Sequence, residues 1–486
     1  MKLVGCKLSA LCMLLVGACG GAPTPPAQPE RTPTAQAVED PLGERPVPST
    51  PAAFVPKVPA VERVAHLSYW LDERHALPEV GIVLVLPFGG SDRDPARRFG
   101  LAALTAHMVQ QGAGARDSVE LAKAFEALGA SFSVDAYTDY TAISLNVLSY
   151  NLEPAFALLA DVLHRPRLTA ADFAREKARL IDELAAADKD PRSVFERSVP
   201  VLHYGVNHPY GHARVGDLAG LRAARLEDVK AFSRDYLLGH LTLVGVGDVD
   251  MPTLKALVAK HVALPQQQQT HRVFVRPPPP AFEPTVWLID QPGAAQAVIG
   301  WICNGVRAED PRGTALWRVN NVLGGSFSSR LNQDLREERG LTYGASSRLT
   351  WTKYDGMFLA SASVALDKTG EAMRALDDDI AAFAKEGPNA EETERSRLLA
   401  RGELVETYES VAKTAARLAR NAAVGLDADF DAQVASARDR ATQQELAQRA
   451  AELFGAPARR VVVGPRAVLA PQLEAQGYKV SAPPKQ

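Results

Sequence analysis

The stretch GLAALTAHMVQQG, from Gly100 to Gly112, places one histidine, His107, on a short helical pattern with no second ligating side chain beside it. A lone imidazole can be a metal ligand or a base only with companions. Two readings therefore stand: the remainder of a metal site, or a histidine in a helix. HPYGH supplies His208 and His212, but Pro209 and Gly211 between them make a loop, with no fixed face to offer a metal. In FSSRLNQDLREERGLTYG the pattern starts a helix near Ser328 or Ser329, buries Leu331 and Leu335, and ends it at Gly340, before a strand that carries Tyr343. Arg336 on that helix has Asn332, Gln333, Arg339 and Gly340 three and four residues away, so no acid is placed for a helical ion pair. A guanidinium fork binds carbonyls directionally, and a phenol can donate to a tetrahedral oxygen.

The elements that must position these groups take an α+β order of strand, helix, helix, strand, helix, helix, strand. Val80 to Phe88 has the β-branched content of a strand, and residues 118 to 129 read as a helix capped by Ser118, with Leu121 and Phe125 one turn apart and a stop at Gly129. SFSVDAYTDYTAISLNVLS alternates as strand, Leu152 to Leu163 and Ala170 to Ala187 return to helix, and LTLVGVGDVD is strand again. The second half repeats the first: TVWLIDQPGAAQAVIGWICNG is a strand pair, DPRGTALWRVNNVLGG a helix, LTYGASSRLTW and GMFLASASV strands, and RRVVVGP a terminal strand. A duplication of about 200 residues accounts for this.

At 486 residues the chain exceeds one ordinary core, and its 46% hydrophobic and 23% charged composition with net charge −3 describes a globular protein with no field to attract nucleic acid. Lys2 and Lys7 with the apolar run Leu8 to Val16, too short to span a bilayer, read as a secretory signal over residues 1–18. VGAC resembles the lipobox of bacterial lipoproteins, which implies a lipidated Cys19 as the first mature residue and a periplasm-facing lipoprotein of the cell envelope, with Gly20 permitting the outer membrane. Residues 19–60, rich in Pro, Ala and Thr, read as a tether, and 265–284, with its glutamines and four prolines, as a stiff linker between domains at 61–264 and 285–486. Cys6 and Cys12 leave with the signal, so only Cys303 remains in the body and no intrachain disulfide can form.

DSVELAKAFEALGASFSVDAYTDYTAISLNVLSYNLEPAFALLADVL, HPYGHARVGD and LGGSFSSRLNQDLREERGLTYGASS resemble the insulinase/pitrilysin metallopeptidases, in the short-chain branch that includes mitochondrial processing peptidase, over about residues 65 to 470. The resemblance implies two homologous α/β domains, each a mixed or antiparallel sheet packed with helices, in a clamshell. It also implies H-x-x-E-H on the helix after the first strand, where residues one turn apart bring two imidazoles to one zinc and a glutamate to its water. Against that motif Ala103 stands at the first histidine, Ala106 at the glutamate and His107 at the second histidine. The family's third ligand, a glutamate further on in a helix, matches Glu183, 76 residues past His107. Two ligands and no general base fall short of a catalytic zinc, so His107 and Glu183 are expected to be vestigial, with no metal or cofactor held by this chain. Arg336 and Tyr343 match the family's substrate-holding arginine and oxyanion-supporting tyrosine. The resemblance thus implies a pseudo-peptidase subunit that pairs with a zinc-bearing homologue and serves proteolysis of unfolded peptides, anchored to the membrane by its lipid. The alternatives are a structural, scaffolding subunit and an independently active peptidase with an atypical metal site.

Overall fold

A computed structural model describes residues 53–263 and 285–483. The signal, Cys19, most of the tether and the whole of the linker lie outside these residues. Twelve strands build two six-stranded sheets among the described residues. The first holds β1 (Ala60–Val64), β2 (Leu67–Glu73), β3 (Glu79–Leu86), β4 (Ser131–Ala136), β5 (Thr141–Leu148) and β6 (Leu241–Gly247), in the order β1-β2-β6-β3-β5-β4. The second holds β7 (Thr285–Asp290), β8 (Gln296–Asn304), β9 (Thr342–Trp351), β10 (Gly356–Ala365), β11 (Ala458–Gly464) and β12 (Lys479–Ser481), in the order β12-β7-β11-β8-β10-β9.

The two orders superpose strand for strand. β2 runs parallel to β6, as β7 does to β11, and the remaining inner pairs are antiparallel in both sheets. Only the outer strand differs: β1 joins antiparallel from before the repeat, β12 parallel from after it. Both sheets are mixed and packed with helices, in keeping with the α+β reading and its two homologous domains.

The halves exchange helices. Val411–Ala423, from the second half, lays Val411, Ala415, Leu418 and Ala419 on Trp70, Val83, Val85, Val244 and Val246 of the first sheet. Pro191–Tyr204, from the first half, lays Phe195, Val199 and Leu202 on Val298, Ile302, Val461 and Val463 of the second. Each buried side chain of this size is worth roughly 1.5–3 kcal/mol, so both exchanges contribute substantially to the fold.

Several local expectations shift. The helix Ser118–Ala127 is capped by Asp117, whose Oδ1 accepts from Glu120 N at 2.9 Å while Glu120 Oε2 accepts from Asp117 N at 3.0 Å; a carboxylate suits the positive helix start better than Ser118 would. β7 and β8 are not a pair, because β11 lies between them. The helix Gly313–Asn320 loosens into wider turns over Asn321–Gly325. The segment expected to run as tether to residue 60 is laid on the body from residue 53: Phe54 packs on Tyr408 with ring centroids 6.1 Å apart, Pro56 and Pro59 are buried, and Lys57 Nζ donates to Glu73 O at 2.8 Å.

Candidate functional site

The helix Leu101–Val109 begins at Gly100, whose φ of 97° suits glycine. Its cap comes from outside: Asp94 accepts from Gly100 N at 2.6 Å and from Ala102 N at 2.7 Å. His212 supports that carboxylate, with Nε2 3.4 Å from Asp94 Oδ2 and 3.0 Å from Ser91 O, and its ring stacks on Phe99. His208 accepts from Tyr210 N at 3.0 Å. His208 thus serves its own loop and His212 the helix cap.

The other end of the helix is tied to the free edge of the first sheet, Gln110 Nε2 donating to Ala106 O at 2.8 Å and to Val134 O at 3.0 Å. Ala106 is buried and Ala103 and His107 half-buried. Facing them is the helix Ala170–Ala187, capped by Thr169, which accepts from Asp172 N at 3.1 Å. Glu176, Arg179 and Glu183 recur on one face of it at three and four residues.

Arg179 occupies the centre of this group. Its Nε donates to Glu176 Oε2 at 2.9 Å, its Nη1 to Glu183 Oε1 at 2.5 Å, and its Nη2 lies 3.2 Å from His107 Nδ1. A guanidinium has donors only, so Nδ1 must be the acceptor and the ring proton sits on Nε2. Burial, and then the Arg179 charge, lower the His107 pKa and keep the ring neutral. Burial works against the charge on Arg179, but its bonds to Glu176 and Glu183 outweigh this and raise its pKa. Arg175 adds a second cation, 3.4 Å from Glu176 and donating to Gln111 Oε1 at 2.8 Å.

The structure places His107 and Glu183 against one arginine, which lies between them. These residues do not fit a catalytic zinc. Methyl groups stand at two of the motif positions, and the lone pairs of the remaining donors are engaged by a cation that belongs to the protein. Among the described residues no group of three or more His, Cys, Asp and Glu side chains is arranged to hold a metal ion. Glu176 and Arg179 were missed at the level of sequence; their spacing with Glu183 was the available signal.

Arg336 and Tyr343 lie in the second half. The helix start at Ser329, burial of Leu331 and Leu335 and the end at Gly340 all occur, but the coil widens to five-residue turns over Gln333–Glu338, with Arg339 N donating to Asp334 O at 2.9 Å. Such turns cluster at functional sites. Arg336 has its guanidinium 4.8 Å from the centre of the Phe327 ring and Nε 3.4 Å from Glu337. Phe327 is 76% exposed and Tyr343, on the edge strand β9, 90% exposed. No hydrogen bond, ion pair or ring contact among the described residues links this pair to the His107 cluster. Cys303 is buried and reduced, its Sγ 3.6 Å from Leu453 O.

Family models match both halves: one described as insulinase (peptidase family M16) over residues 78–209, and one described as peptidase M16 inactive domain over 224–399. The chain is 26% identical over 335 residues to an uncharacterized zinc protease of Mycobacterium bovis, covering 68% of this chain and 76% of that protein. It is 23% identical over 366 residues to one of Bacillus subtilis, covering 75% and 83%. Among solved structures, a peptidase M16 inactive domain from Pseudomonas fluorescens superposes with a TM-score of 0.77 at 25% identity, over 84% of this chain and 98% of that one. A Helicobacter pylori protease does so with a TM-score of 0.72 at 18% identity, over 84% and 100%.

Proposed function

Given that this chain belongs to the insulinase (M16) family of peptidases, we propose that it is a pseudo-peptidase subunit that completes the active site of a zinc-bearing homologue. The observation that carries this reading is the mismatch between its halves. In the first, Ala103 and Ala106 replace the working groups and Arg179 engages what is left. In the second, Arg336 is half-buried against Phe327 and Glu337 while Tyr343 stands exposed, and no partner among the described residues accounts for a solvent-facing phenol on an edge strand. Zinc and general base belong to the partner; this chain contributes a carbonyl-binding fork and an oxyanion donor for unfolded peptides. A purely scaffolding role would leave the Phe327, Arg336 and Tyr343 surface without a purpose.

The test mixes the chain with a zinc-bearing homologue and follows cleavage of a quenched fluorescent peptide. Wild type should raise the rate of the partner. Tyr343→Phe removes one hydroxyl and should preserve the complex while lowering kcat by about 10² to 10³, the usual cost of one oxyanion donor; Arg336→Ala should also raise KM. If both variants assemble and support wild-type cleavage, the chain is a scaffold. A lipid anchor at Cys19 is the second part of the proposal, holding the complex in the cell envelope on the periplasmic side, at the outer membrane. Cys19→Ser should move the protein from the membrane to the soluble fraction or leave it unprocessed, and mature protein that still sediments with membranes would refute the anchor.

A further inference from the structure

We infer that this chain holds a site for the free carboxy terminus of a peptide with an apolar last residue, in a cavity that neither Arg336 nor Tyr343 lines. The cavity has a volume of about 940 Å³, within the roughly 300–1,000 Å³ of pockets that take small ligands. Its walls come from the helices Ala170–Ala187 and Pro191–Tyr204, the loop before Gly100 and the short helix Leu218–Ala223. Phe99, Leu184, Val194 and Val201 make much of the lining apolar. The acids on it are engaged already: Asp188 pairs with Arg197, and Asp217 caps Leu218–Ala223, its Oδ1 accepting from Gly220 N at 2.5 Å.

Arg97 differs from these groups. It is exposed on the cavity wall, and no hydrogen bond, ion pair or ring contact engages its side chain among the described residues. Arg98 N donates to Pro95 O at 2.9 Å, and the turn so closed puts Arg97 at φ 66°, in the left-handed region where such turns favour glycine. An unpaired guanidinium, kept there against the preference of its backbone and beside an apolar lining, fits an anion that carries an apolar group. His212, also on the wall, chooses between such anions. Its side chain is 6% exposed, and its ring stacks on Phe99 with centroids 4.2 Å apart. Nε2 donates to Ser91 O at 3.0 Å, so the neutral ring keeps on Nδ1 a lone pair that meets no donor among the described residues. The last residue of a peptide brings a carboxylate for the Arg97 fork, an apolar side chain for Leu184, Val194 and Val201, and a backbone N–H for that lone pair. A fatty acid lacks the donor, and a phosphate lacks the apolar group.

The site belongs wholly to this chain, so it stands apart from the pseudo-peptidase reading and its test needs no partner subunit. Fluorescence anisotropy on the purified chain would follow a labelled tripeptide of two glycines and a terminal leucine, as the free acid and as the carboxy-terminal amide. Wild type should bind the acid about tenfold or more tightly than the amide, the worth of one charge-assisted pair. Arg97→Gly should lose about that factor for the acid and bind the two peptides alike. It should melt about as wild type does without peptide, since glycine suits the left-handed turn. Ala219→Trp, at an exposed helical position on the wall, should fill the space and weaken both peptides. Decanoate and inorganic phosphate should displace the acid poorly. Equal affinity of wild type for acid and amide, an acid preference that survives Arg97→Gly, or binding indifferent to Ala219→Trp overturns the inference. Loss of binding in Arg336→Ala but not in Arg97→Gly would place the peptide at the Arg336 and Tyr343 surface instead, and would overturn it without touching the proposed function. Ready displacement by decanoate would make the ligand a fatty acid and count equally against the peptide.

Discussion

A charge that cannot titrate and one that titrates out of range give the molecule opposite behaviour with pH. Arg179 keeps its charge at any ordinary pH, whereas Asp92, 7% exposed and with no hydrogen bond to Oδ1, has its pKa pushed up to about 8 by burial, with Arg93 opposing the effect and Asp139 and Asp94 adding to it. A folded-state pKa above the unfolded value means stability that is full below about pH 4 and lost as pH rises through 8. The slope reaches at most about 1.4 kcal/mol per pH unit in that window. Asp92→Asn removes the ionisation at constant shape, so urea midpoints should differ little from wild type near pH 4 and favour the variant by a growing margin toward pH 8.5. The same difference at both values would mean that Asp92 is not the group responsible. At this scale the sequence was readable only where a spacing carried it. His107, Glu183, Arg336 and Tyr343 could be singled out by pattern, while Glu176 and Arg179 belong to no motif that would single them out. Only the packing of Leu101–Val109 against Ala170–Ala187 turns their helix face into the surroundings of His107.

At the scale of elements the duplication includes a packing device. Each sheet has a glycine in its central strand where the exchanged helix crosses. A Cβ added at Gly81 would meet Val411 and Asn146 at 3.0 Å, and one added at Gly300 would meet the Phe195 ring at 2.2 Å. Phe195 is fully buried and cannot swing away. Gly300→Ala should therefore destabilise by about 1–3 kcal/mol, the usual range for overpacking, and Gly81→Ala by less. Phe195→Leu should recover part of the loss in the Gly300→Ala background although it is destabilising alone. Additive effects in that denaturant double-mutant cycle would show that the contact does not limit helix approach. These glycines were not legible in advance, since a strand glycine gives no hint of what will cross it. The strands and the helix Ala170–Ala187 were legible, because hydrophobic alternation and end signals are local. The misplaced pairing of β7 with β8 has the same cause in reverse: adjacency in sequence does not reveal that β11, more than 150 residues later, inserts between them.

For the whole molecule, the helix exchange makes the linker a poor guide to independent folding units. Cutting the chain there would strip Val411–Ala423 from the first sheet and expose Trp70, Val83, Val85, Val244 and Val246 as one apolar surface. It would equally strip Pro191–Tyr204 from the second, baring Val298, Ile302, Val461 and Val463. The strap from residue 53 adds a further cross-link, because Phe54 rests among Leu404, Tyr408 and Ala435 while β1 pairs with β2 of the first sheet. Apolar faces of this kind on isolated domains drive association. Residues 53–263 expressed alone should accumulate as aggregate, co-expression with residues 285–483 should give a soluble complex, and the intact body should unfold in one transition by calorimetry and by far-ultraviolet dichroism. A monomeric, cooperatively melting first half would contradict this. The outcome also bears on function: if each sheet is completed by the other half, the His107 cluster and the Arg336 and Tyr343 surface are held in one rigid frame, and a substitution such as Gly300→Ala that loosens an exchanged helix should reduce support of a partner's cleavage without touching any residue that meets the peptide.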